Sequence, residues 1–324
     1  MENLLPIAEQ LDRAAVELRL DHPIHNRLAI ILIDNTVELM VKDALFVHTA
    51  ISGDYGGITA KHRKMARSRN LHQQLAVLTF AEEFTSLEAE FVLAAHDHRN
   101  SAYHEGYAGE PYLRQLAFLY YHFACRYLTR FSKAFYIWSS QFQYTDIGRR
   151  YHDASREEDG LLGKIDRAKL AQVLLDQLPE PCAIPLQQAL ADDLHRDREG
   201  VMRSLRFLRD NTWPKHPTAI LLAKAQFESA RDFALEKQGL ENTSWGTARR
   251  IEAVQFANKN HANFAPRYKA VPHGSWAQSI VRIRSADDPM LATVLFQRTR
   301  KSMAFLRDTL SHAVLKLEGE LHRD

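Results

Sequence analysis

Turn-forming residues are scarce in this chain, with 13 glycines and 11 prolines among 324 residues. A β-sandwich or barrel needs many more chain reversals, so the composition favours helices. Cysteine is scarcer still. Cys125 and Cys182 stand in unrelated contexts, with no CxxC pair and no zinc-ligand spacing. That excludes a disulfide scaffold and fits a reducing, cytoplasmic setting. Charge-free runs of about 18 residues, the length of a membrane span, are missing. The N-terminal MENLLPIAEQLDRAAVELRLDHP lacks the basic stretch and apolar core of a signal peptide, so neither export nor a membrane partner is expected. An excess of charge of one sign is missing too. The formal net charge is +2, with 16 basic and 17 acidic side chains in residues 1–150 and 26 against 23 in the remainder. A strongly basic nucleic-acid-binding domain is thereby excluded. A local footprint on phosphates, which takes only a few cations, is not.

What is present is an ordinary globular composition, 45% apolar and 25% charged, in a chain long enough for two domains. Apolar residues recur at helical spacing over 2–20, 26–50, 71–97 and from Pro111 to about 140, which predicts an antiparallel helical bundle over 1–145. In the second helix Asp34, Glu38 and Lys42 sit four apart on a face separate from the apolar stripe, and Glu38 before Lys42 is the favourable order. The polar, aperiodic segment 146–160 reads as a linker. A second helical domain is expected over 161–324, with an irregular segment at 241–288 in which Val281-Arg282-Ile283-Arg284 alternates like a short strand. The fold class is all-α.

Between two of these apolar patterns lies His96-Asp97-His98-Arg99-Asn100-Ser101-Ala102-Tyr103-His104-Glu105-Gly106-Tyr107. Arginine grips a phosphate with a planar fork of donors, and histidine moves protons near neutral pH. Arg99 and His104 together could cleave a phosphodiester without a metal. His104 would take a proton from a ribose 2′-hydroxyl or give one to the leaving 5′-oxygen, while Arg99 offsets the charge that builds. Asn100 could orient the histidine. The product would be a cyclic phosphate end, and the substrate would have to be RNA. Spacing alone does not single this pair out. With 29 arginines and 16 histidines, about four arginine–histidine pairs five to seven apart arise by chance, and six occur. The Arg99/His104 pair differs in its setting, where a helical pattern gives way to glycines. On one straight helix the two residues would be about 140° apart, so convergence requires a helix end between them or a second subunit.

Residues 26–140 resemble a HEPN domain, a helical-bundle superfamily rich in RNA-cleaving toxins and defence nucleases. The resemblance rests on Arg99-Asn100-Ser-Ala-Tyr-His104, an arginine and a polar residue followed at the family spacing by histidine, and on the earlier helix from Ile33 to Leu45. It implies a metal-independent endoribonuclease with no cofactor, acting as a homodimer in which two motifs meet, with Arg99 and His104 catalytic. Asn100, Tyr103, Tyr107, His98 and Glu38 are then the supporting residues, and a toxin or antiviral role implies an antitoxin or regulatory partner. The position two after His104 is Gly106, which departs from the members that carry a modifiable tyrosine there. The alternative is a non-catalytic module that binds nucleotide, RNA or a partner protein.

Other clusters carry weaker readings. Lys61, Arg63, Lys64, Arg67 and Arg69 could follow an RNA backbone or form a solvated face. His96 and His98 with Asp97 could bind a metal, but neighbours on a helix face different ways. Arg209 and His216 could form a second motif, or an interhelical turn at Pro214. Lys259, Phe264, Arg267, Tyr268, Lys269, Trp276 and Arg282 interleave cations with aromatics, a pattern that suits single-stranded RNA or a structured loop.

Overall fold

The computed structural model describes residues 4–51, 57–104, 111–131, 145–156, 165–212, 216–237, 255, 259 and 264–321, without the side chains of 51, 102–104, 233–237 and 320. Among these residues the regular structure is all helical, joined by turns and loops, apart from one isolated antiparallel bridge between Arg156 and Ile165. No described helix is long and apolar enough to cross a membrane. The chain divides into two compact units, residues 1–190 with 283–294, and residues 191–282 with 295–324.

The first unit is built around its second helix. Helix α1 (Leu4–Arg19) buries Leu4, Ile7, Ala8, Leu11, Ala15 and Leu18 along one stripe. Asp21 ends the turn that follows, with a left-handed φ of 41° that aspartate tolerates better than most residues. His22 then caps α2 (Pro23–Phe46), accepting from the Ile24 N–H at 3.4 Å, with Pro23 in the first turn where its missing donor costs nothing. Helix α2 packs against α1, α4 (Leu71–Phe80), α5 (Ser86–His104) and α6 (Leu113–Arg130). It passes into a π-helical turn at Val47–Ile51, and α3 (Ala60–Ala66) follows.

The expected single helix over 71–97 is two. Helix α4 closes at Ala81, and Glu82 takes φ 59° so that the Glu83 N–H reaches the Leu78 carbonyl at 2.9 Å. A new start is encoded in Thr85-Ser-Leu-Glu88, a capping box. The Thr85 N–H donates to Glu88 at 3.0 Å, and the Glu88 N–H donates to the Thr85 hydroxyl at 3.2 Å. Glu88 also accepts from Arg130 at 2.8 Å and Arg126 at 3.3 Å, tying α5 to α6. Phe84, Phe91, Tyr120, Phe123 and Tyr127 pack ring to ring in the core between these helices.

The division of the chain also differs from the expected one. The presumed linker contains α7 (Asp146–Ser155), capped by Thr145 and packed on α1 and on α8 (Arg167–Leu175). Its aromatic Tyr151 is fully buried, and the phenol donates to Asp12 of α1. Helix α8 lies against α6, where the Tyr121 hydroxyl donates to the Leu174 carbonyl at 3.0 Å. The helical bundle therefore continues past residue 160. Sparse apolar content made 146–160 look like a linker, but one well-placed tyrosine anchors its helix.

The second unit contains most of α9 (Leu186–Asn211), α10 (Thr218–Lys237) and most of α11 (His273–Arg284) and α12 (Pro289–Leu321). The alternating Val281–Arg284 is helical. Trp276, Ile280 and Ile283 are buried at helical spacing, and that periodicity overrides the short alternation. The aromatic–cation stretch is largely structural. Gln226 clasps the Tyr268 backbone through both amide atoms, at 2.8 and 2.9 Å, and Trp276 donates to Ser302 at 3.1 Å. Arg267 stacks over Phe305.

Because Glu82 is exposed and left-handed, Glu82→Gly should raise stability by about 1 kcal/mol, the strain of a side chain in that region less the added freedom of the unfolded chain. Urea unfolding at neutral pH measures it.

Candidate functional site

Three helices of the first unit bring one polar cluster together. Asp34, on α2, falls on the buried face of that helix with Ile30, Ile33 and Val37, and none of its surface is exposed. The expected grouping of Asp34 with Glu38 and Lys42 on a separate polar face does not hold, because Asp34 turns into the core. A buried carboxylate must be hydrogen-bonded and paired, and two of the helices packed on α2 supply the partners. Tyr120 of α6 donates its hydroxyl to Oδ1 at 2.8 Å. From α5, His96 Nδ1 meets Oδ2 at 2.9 Å, and Arg99 Nε lies 3.6 Å from the same oxygen. Arg99 also donates to Asn35 Oδ1 at 3.4 Å and to Asn100 Oδ1 at 3.0 Å. Glu38 completes the rim, with one oxygen 3.5 Å from His96 Nδ1 and the other 3.4 Å from Lys42 Nζ. Both His96 and Arg99 keep about a quarter of their side-chain surface exposed, 22% and 26%, so the cluster is open on one side.

The electrostatics follow from this arrangement. The hydrogen bond to Asp34 raises the His96 pKa above its ordinary value. Burial opposes the rise, the charges of Asp34 and Glu38 add to it, and Arg99 subtracts. Burial and then the Asp34 charge push the Tyr120 phenol well above its usual range, so Tyr120 remains a donor. With a carboxylate against Nδ1, that nitrogen carries the hydrogen, and Nε2 is the ring's second site for proton exchange.

The expected site residues land unevenly. Arg99 is placed and held, Asn100 supports it, and Glu38 borders the cluster. His98 does not join them. It is 1% exposed and packs edge-on against Tyr112, whose hydroxyl is 3.3 Å from its Nδ1, so it has no surface to offer a ligand. Helix α5 runs unbroken to His104, which places the Cα atoms of Arg99 and His104 about 140° apart around one axis. The side chains of Tyr103 and His104, and all of Tyr107, lie outside the described residues. Lys61, Arg63 and Lys64 are on α3, with Arg67 and Arg69 just after it, and all but Arg63 are exposed.

In the second unit Arg209 pairs with its neighbour Asp210, while 213–215 of that proposed motif lie outside the described residues. Arg307 and His312 stand within α12, paired with Asp197 at 3.2 Å and Asp232 at 3.6 Å.

His96, Asp97 and His98 do not converge as a metal site, since His96 turns to Asp34 and His98 into the core. Oxygen or nitrogen atoms of Asp34, Glu38 and His96 do lie within 4.8 Å of one another. The Arg99 guanidinium beside the same Asp34 oxygen opposes a dication there, and the cluster is better described as a hydrogen-bonded carboxylate–imidazole–guanidinium group. Sequence reasoning missed Asp34, Asn35 and Tyr120 as members. The available signal was a lone aspartate on an apolar helical stripe, which needs partners wherever it is buried. No family model matches the chain, and the searches of curated proteins and of solved structures find no match to it.

Tyr120→Phe leaves Asp34 Oδ1 without that donor in the core and should cost about 1–3 kcal/mol in urea unfolding. His96 gives a pH signature. Its folded pKa is raised, so its stabilising contribution is complete below its unfolded value of about 6.5 and is lost as pH rises through the folded value. The gap in unfolding midpoint between wild type and His96→Gln should be widest below about pH 6.5 and narrow as the pH rises above it.

Proposed function

We propose that the N-terminal bundle is a HEPN-like, metal-independent endoribonuclease in which Arg99 and His104 act on RNA at a site shared by two copies of the chain. The observation that carries the reading is the fixation of Arg99. A buried carboxylate and two amide oxygens hold its guanidinium at the open side of the cluster. A phosphate-binding cation that is already oriented loses little freedom on binding and stabilises charge in the transition state. The unbroken α5 supports the dimeric form, because a residue whose Cα lies about 140° around the helix from that of Arg99 meets the same phosphodiester more readily from a second copy. Exposed Lys61, Lys64, Arg67 and Arg69 offer a footprint for the RNA backbone. A toxin or defence role, with an antitoxin or regulatory partner in the cytoplasm, follows from the family resemblance alone.

One observation favours a second reading. Arg99 is already paired with Asp34, as in a bundle that keeps the polar cluster for stability and binds nucleotide, RNA or a protein without cleaving.

Incubation of purified protein with mixed RNA in excess EDTA separates the two. Cleavage leaving 2′,3′-cyclic phosphate ends, reduced about 10²–10⁴-fold in His104→Ala and comparably in Arg99→Ala, is expected for the nuclease. Intact RNA bound by wild-type protein would leave the module.

A further inference from the structure

We infer that His96, oriented by Asp34, is a second catalytic imidazole, the acid that protonates the leaving 5′-oxygen beside Arg99. This assignment rests on the ribonuclease reading and adds to it a residue outside the arginine–histidine motif.

The argument begins with helix geometry. His96 and Arg99 are three apart on α5, so they project on one face about a turn apart, unlike a pair five apart. Both reach the same oxygen of Asp34, at 2.9 and 3.6 Å. One carboxylate therefore sets the position of an imidazole and a guanidinium together. Asp34 is in turn locked from behind by Tyr120 at 2.8 Å. A buried carboxylate on Nδ1 leaves Nε2 to exchange a proton with a ligand, while the imidazolium is stabilised by the charge behind it. The groups facing His96 are Asp34 and Glu38 from α2 and Arg99 from α5, with Tyr120 of α6 facing Asp34. Two carboxylates against one guanidinium favour the protonated ring, the state an acid needs.

The step balances without a co-reactant. The 2′-oxygen forms a bond to phosphorus as its proton passes to His104 of a second copy. The phosphorus–5′-oxygen bond breaks, and the departing oxygen takes the proton from His96 Nε2. A 2′,3′-cyclic phosphate and a 5′-hydroxyl result, Arg99 offsets the charge on the non-bridging oxygens, and solvent water takes the proton held by His104 and restores the one lost by His96. Asp34 is a positioning residue, since it acts through His96 and Arg99.

The test measures cleavage by wild type, His96→Gln, His104→Ala and Asp34→Asn on RNA, and on RNA whose scissile 5′-bridging oxygen is replaced by sulfur, a leaving group that needs no acid. His96→Gln should lose about 10²-fold or more on RNA, keep most of its rate on the sulfur-bridged linkage, and lose the descending high-pH limb of kcat/KM. Asp34→Asn should move that limb to lower pH. Mixing His96→Gln with His104→Ala should restore about a quarter of wild-type activity, because half the dimers then hold one intact site of two. A His96→Gln rate within threefold of wild type on RNA overturns this assignment and leaves the ribonuclease reading intact. Equal losses on both linkages also overturn it, because they mark His96 as structural. A wild-type protein that cleaves neither substrate overturns the ribonuclease reading itself, and this assignment with it.

Discussion

Asp34 is a carboxylate with no contact with solvent, and the core of the first unit is arranged around satisfying it. An unpaired charge in that position would be prohibitive. Tyr120 and His96 each donate a hydrogen bond and Arg99 adds a counter-charge, and they come from α5 and α6, two of the helices packed on α2. Removing any one leaves the others facing an incompletely neutralised buried charge. The polar residues of α5 are therefore bound into the fold as well as into any chemistry, and the orientation of Arg99 follows from the packing of α2.

The same economy recurs at the N-terminal end of α5. Glu88 closes the helix N-terminus through Thr85 and draws Arg126 and Arg130 across from α6. Burial works to raise its pKa, but the Thr85 N–H, the Arg130 charge and their hydrogen bonds prevail and hold it below the usual carboxylate value. Two buried carboxylates, one near each end of the helix's contact with the core, thus fix α5 relative to α6 where apolar packing alone would allow sliding. This rigidity lets His96 and Arg99 present their side chains in a defined direction.

Much of the helical architecture was legible from periodicity. The stripes of α1, α2 and α6 could be read directly, because apolar residues at helical spacing can be buried in only one way. The break after Ala81 was written in Thr85 and Glu88 but hidden by continuous apolar character on both sides. The helix at Asp146–Ser155 was hidden for the opposite reason, since a single Tyr151 supplies most of its anchoring. In the site, Arg99 was legible from residue type and setting. Asp34 and Tyr120 were not, because a buried carboxylate and its phenol are 86 residues apart and only the tertiary fold makes them neighbours. In a polar run His98 reads as available, whereas its place on the inner face of α5 commits it to Tyr112.

Residues 283–294 belong to the first unit although some ninety residues of the second come before them in the chain. Within that unit Arg126 reaches Met290 at 3.5 Å, and Gln187 donates to the Ala286 carbonyl at 3.3 Å. A ribosome making this protein emits α2, α5 and α6 early, yet the body that contains them is finished only when the chain beyond 283 emerges. Folding of the first unit is thereby coupled to synthesis of the chain through its 283–294 segment, and a polypeptide cut short before residue 283 would leave Arg126 and Gln187 without these partners.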